Sequence, residues 1–105
     1  MYLPEIFKTF QSKYPEVLDA YRKVGDLSSQ AGPLNPKTQH LIQLGVSIGL
    51  ASPGGVRSHA RRALDVGATD EEVLQTVLVS STLVGFPSMI AAFGWVREVL
   101  TATDK

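Results

Sequence analysis

Proline and glycine stand beside helix-capping residues at intervals along this chain, and the segments they bound are the length of short helices. Tyr14-Pro15 closes a first short segment and puts Pro15 in the first turn of a new helix, about residues 15–29. Gly32-Pro33 ends that helix. Asn35-Pro36 then supplies a cap followed by proline at the first helical position, opening a helix that runs to about Gly49. Ser52-Pro53 repeats the device for a helix to about Val66, with Gly67 as its C-terminal stop. Thr69 and Glu72 form a capping box for the next helix, and Gly85-Phe86-Pro87 separates it from the last.

Apolar residues fall at helical spacing inside each segment. They are Val17, Leu18, Tyr21, Val24 and Leu27 in the second helix. Leu41, Leu44, Gly45 and Ile48 follow in the third, with Ile42 and Val46 widening the stripe. Val56, Ala60, Ala63 and Leu64 are expected to face inward from the fourth, and Val73, Leu74, Val77 and Leu78 from the fifth. Met89, Ile90, Phe93, Val96 and Leu100 do so in the sixth, before an expected frayed tail at 101–105. No alternating pattern is long enough for a strand. The expectation is an all-α fold of about six helices, five if the first segment is only a turn. Its core is an antiparallel helix hairpin, and residues 1–105 form a single domain.

Lys plus Arg number 10 and Asp plus Glu number 10, so the balanced charge provides no general attraction to nucleic acid or an anionic membrane. No run approaches the roughly 18 apolar residues that span a bilayer, and MYLPEIFKTF lacks the form of a signal peptide. The expected location is cytoplasmic. The chain has no cysteine, which excludes disulfides, iron–sulfur clusters, thiolate metal sites and thiol redox chemistry.

The candidate chemistry rests on two histidines, His40 on the third helix and His59 on the fourth. His59 borders the inward face set by Val56 and Ala63, which suits either a half-buried histidine bonded to backbone or a general acid–base group. His40, near the start of its helix, suits a partly exposed position, and the turn alone does not guarantee that the two rings meet. Two histidines without paired carboxylates make a poor zinc site, and no phosphate-loop motif is present, so no metal and no cofactor are expected. Arg57, Arg61 and Arg62 could hold an anionic substrate or simply be solvated.

Three segments carry a resemblance: Gly32–Thr38, Val56–Leu64 (VRSHARRAL) and Gly67–Val73 (GATDEEV). Together with Gly85-Phe86-Pro87 they resemble the carboxymuconolactone decarboxylase-like family over about residues 15–100. The resemblance implies the alkylhydroperoxidase D-like helical fold, assembled as trimers or hexamers. It also implies one of two chemistries. One branch decarboxylates a lactone of aromatic catabolism without a cofactor; the other reduces peroxides with a C-x-x-C pair, a histidine and a glutamate. His59 stands at the motif histidine, Ser52 and Gly55 at the two cysteines, and His40 at the glutamate. A peroxidatic group must be oxidised and then reduced, which serine and glycine cannot do, so the peroxidase branch is disfavoured. The resemblance therefore implies a cofactor-free decarboxylase or related lactone or keto-acid enzyme. In it His59 and His40 would be catalytic, and Arg57 and Ser52 would bind the substrate, a small organic acid. The alternative is a non-catalytic oligomeric scaffold or ligand-binding protein of the same fold. Apolar residues of the last two helices, among them Leu78, Leu83, Phe86, Ile90 and Phe93, exceed what one small core needs, and a homo-oligomer is expected to cover them.

Overall fold

The computed structural model describes residues 4–103. Among them are six helices and no strand: α1 (Glu5–Lys13), α2 (Pro15–Ser29), α3 (Pro36–Gly49), α4 (Pro53–Asp65), α5 (Asp70–Val84) and α6 (Phe86–Thr103). The all-α expectation holds, and the first segment is a helix rather than a turn. The chain groups into two compact units, Met1–Pro33 and Leu34–Lys105.

In the first unit α1 packs on α2. Phe10 stacks obliquely on Tyr14 at 5.5 Å, and the Lys13 ammonium lies 5.9 Å from the Tyr14 ring. The expected stripe on α2 is not buried. Val17, Tyr21, Val24 and Leu27 are all exposed, and only Leu18 is half-covered.

The second unit is built by its caps. Asn35 Oδ1 accepts the Thr38 N–H at 2.8 Å, and Ser52 Oγ accepts the Gly55 N–H at 3.1 Å. Thr69 and Glu72 exchange hydrogen bonds at 3.1 and 2.9 Å. Each satisfies donors that a helix start leaves open. The Thr69 N–H, and after it Lys37, hold the Glu72 carboxyl below its ordinary range. Lys37 reaches Glu72 at 3.0 Å and ties the start of α3 to that of α5. Gly85, at φ 91°, turns α5 into α6 through a backbone conformation that costs glycine little.

Helix α3 packs on α4 and α5, and α6 packs on α5 and α4, so two hairpins face each other in a four-helix ring. The core between them holds Leu44 and Ile48 of α3 and Val56, Ala60 and Ala63 of α4. Val73 and Val77 of α5 and Ala92, Val96, Val99 and Leu100 of α6 complete it. A Cβ on Gly45 would lie at ordinary contact distance, 3.7 Å, from the Ser80 hydroxyl of α5. The buried stripe is narrower than the hydrophobic pattern suggests. Ile42, Val46, Leu78, Ile90 and Phe93 are exposed, because they lie outside the faces that the four helices turn toward one another. The expected frayed tail is helical through Thr103, with the Thr101 hydroxyl donating to the Arg97 carbonyl; its last two residues lie outside the described range. No described helix is long and apolar enough to cross a membrane.

Leu44 is fully buried in this core. Leu44→Ala is expected to lower the stability of the folded chain by about 2–5 kcal/mol, whereas Thr69→Ala removes a cap at about 1 kcal/mol. Denaturant unfolding of both variants checks the order.

Candidate functional site

The site is set by the register of the α3–α4 hairpin. The Ser52 N–H donates to the Ser47 carbonyl at 3.1 Å, closing a turn in which Ala51 adopts the left-handed φ of 53°. That φ is unusual for alanine and stores strain beside the site. A Cβ on Gly55 would stand 2.8 Å from the Ser47 hydroxyl and 2.9 Å from that of Ser52. Only glycine fits there without displacing a serine. Two helical turns beyond Ser47 and Ser52, on their respective helices, the register brings His40 opposite His59.

The two imidazole rings lie 5.8 Å apart, inclined by 31°. Both are half-buried. The Nδ1 atom of each is fully covered and has no hydrogen-bond partner. An unmade bond at a buried polar atom costs about 1–3 kcal/mol. The sequence left open whether His40 reaches His59; the structure brings them together. At Nδ1 neither ring makes the backbone bond of a satisfied core histidine.

His59 is held below its ordinary value of 6.5, first by burial, then by the Arg62 guanidinium and by His40. All three causes disfavour the imidazolium. His59 is thus biased toward the neutral form, able to accept a proton.

The other anticipated residues have different surroundings. Ser52 is the N-cap of α4. The Arg57 Nε–H donates to the Glu98 carboxylate on α6 at 2.7 Å, which ties α4 to α6. Arg62, one turn after His59, is exposed and forms no ion pair among the described residues. The sequence points to Arg57, not Arg62, for substrate binding; the field at His59 is that of Arg62. Ser47 was not anticipated. It is the one buried polar residue of the described core, and the signal for it is its position seven residues after His40, on the same helix face. Among the described residues no three His, Asp or Glu side chains gather as a metal would require. The surface hollows of about 430 and 390 Å³ are lined by α1 or α2 residues alone and contain neither histidine.

Comparison with known proteins follows the same lines. A sequence model of the carboxymuconolactone decarboxylase family matches residues 15–98. The fold is similar to that of a carboxymuconolactone decarboxylase family protein from Legionella pneumophila in its apo form. Their TM-score is 0.81 at 23% identity, over 90% of this chain and 85% of that one. A provisionally assigned carboxymuconolactone decarboxylase from Burkholderia xenovorans is similar with a TM-score of 0.74 and 25% identity, over 97% of this chain and 83% of that one. No curated protein matches the sequence significantly.

The His59 environment has a consequence for stability. Its folded-state value lies below its unfolded value near 6.5, so below that pH the unfolded chain binds the extra proton more readily. Stability is therefore expected to be full above about pH 6.5 and to fall on acidification through the folded-state value of His59. His59→Gln is expected to flatten this part of the profile, measured as Tm against pH.

Proposed function

Because the chain belongs to the carboxymuconolactone decarboxylase family, we propose that it is a cofactor-free enzyme acting on a small carboxylic acid of lactone or oxo-acid type, with His59 and His40 as its acid–base pair. The observation that carries this reading is the pair itself: two rings 5.8 Å apart with two covered, unpartnered nitrogens. Both Nδ1 atoms are sealed from solvent, so acid–base work on a substrate falls to the Nε2 atoms of the pair.

The decarboxylation is written as follows. The bond to the carboxyl carbon breaks and carbon dioxide leaves. The bonding pair stays on the substrate carbon, delocalised into the adjoining carbonyl. An imidazolium of the pair then protonates that carbon, and solvent restores the proton. Arg62 holds a substrate carboxylate. Arg57, engaged by Glu98, keeps α4 seated on α6 and offers only its remaining N–H groups. Ser52 holds the first turn of α4 in place by accepting the Gly55 N–H. The absence of cysteine removes the thiol peroxidase alternative.

A homo-oligomer, trimeric or hexameric, is part of the proposal. Leu78, Val79, Leu83, Phe86, Ile90 and Phe93 form exposed apolar surface on α5 and α6. Leu83 at 88% and Phe86 at 69% exposure are unusual for a monomer in water.

Carbon dioxide release from carboxymuconolactone is expected with the purified chain, and His59→Ala is expected to lose about 100-fold or more in kcat. No release above buffer, or full activity in the variant, refutes the decarboxylase reading. Light scattering at micromolar concentration is expected to give a mass several times that of the chain; a monomer refutes the oligomer.

A further inference from the structure

The first unit has no interior. Neither α1, of 9 residues, nor α2, of 15, buries a single residue; Phe7 and Leu18 are only half-covered. Helices this short are marginal in water by themselves and take their stability from packing an apolar face. Helix α2 carries such a face. Val17, Ala20, Tyr21 and Val24 follow one another at helical spacing, and all four are exposed in the whole chain. A surface hollow of about 390 Å³ is lined by these four residues and Glu16 alone.

The charges beside this stripe are ordered. At about 100° per residue, Glu16 and Lys23, seven residues apart, fall along one edge of it. Both are exposed, and neither joins an ion pair among the described residues. An edge that reads acidic and then basic complements itself in only one of the two ways that helices pair. Parallel copies set Glu16 beside Glu16 and Lys23 beside Lys23, like against like. Antiparallel copies, related by a two-fold axis that passes near Ala20, set each Glu16 against the Lys23 of the other. The same axis brings each Val17 between the Tyr21 and Val24 of the other copy. Ala20 then lies beside the axis, where a small side chain lets the two backbones come close.

We propose that the α2 stripe is a docking surface for a second copy of this chain, the two α2 helices lying antiparallel with Glu16 of each paired to Lys23 of the other. The contact is isologous, so it closes on itself and uses the whole stripe. With α1 packed on each α2, the contact assembles four helices around one apolar seam. The surface is independent of the acid–base reading and uses none of the apolar residues of α5 and α6.

The test uses the full chain, whose lack of cysteine leaves no background thiol. Val17→Cys/Val24→Cys, oxidised at micromolar concentration, is expected to give a covalent dimer on a non-reducing gel. Each single variant is expected to stay uncrosslinked, because in this register position 17 or 24 lies farther from its own counterpart than the roughly 7 Å between Cα atoms that a disulfide can bridge. Glu16→Lys and Lys23→Glu, each confirmed folded by circular dichroism, should each weaken association about 10-fold in analytical ultracentrifugation, and Glu16→Lys/Lys23→Glu together should restore it. Val24→Asp should halve the mass seen by light scattering. Crosslinking of the single variants indicates a parallel pair and overturns the inference. So does the absence of a covalent dimer from the double cysteine variant, a double charge exchange no better than its singles, or a wild-type mass for Val24→Asp. A disulfide between co-expressed Val24→Cys and Leu83→Cys chains, with none in the double cysteine variant, overturns it in favour of the α5–α6 surface of another copy as the cover.

Discussion

The turn between α3 and α4 is the constraint on which the site depends. One backbone hydrogen bond, from the Ser52 N–H to the Ser47 carbonyl, fixes where the returning helix begins. The Ser52 side chain then satisfies the Gly55 N–H, and Pro53 sets the first turn. Once these are in place the register has no freedom left. Residues equally distant from the turn on the two helices are brought opposite one another, and His40 and His59 are such a pair. A shift of one residue would rotate His59 by about 100° around its helix and separate the rings.

Gly55 has a double part in this. It lies where two serine hydroxyls converge, with less than 3 Å left for a Cβ. The close approach lets the start of α4 seat against the end of α3. The same crowding is a physical reason why this chain cannot be read as a peroxidase that has lost its thiols by simple exchange. A cysteine at 55 would need Ser47, itself buried, to move first.

Much of this was legible in the sequence because caps and prolines act locally. Asn35, Ser52 and Thr69 each bond within three residues, so the boundaries of α3, α4 and α5 followed from adjacent letters. The width of the buried stripe was not legible. Ile42, Val46 and Phe93 are apolar and correctly spaced, yet exposed; their burial depends on which side of each helix a neighbour covers, and that is set by tertiary packing rather than by adjacent letters. The meeting of the two histidines was likewise beyond a helix-by-helix reading, since it depends on the length of the turn and on contacts nineteen residues apart. Arg57 shows the same limit. Its composition-level role as an anion binder gave no hint of Glu98, forty-one residues later, which it bonds.

The substitution that matters most is then not the loss of cysteine but the presence of His40. A carboxylate there would stabilise an imidazolium at His59 and favour an acid. Histidine does the opposite: with Arg62 and burial it disfavours that charge. The site therefore trades a fixed negative charge for a second proton carrier. The same exchange that takes a carboxylate away from His59 thus leaves it a ring that resists positive charge.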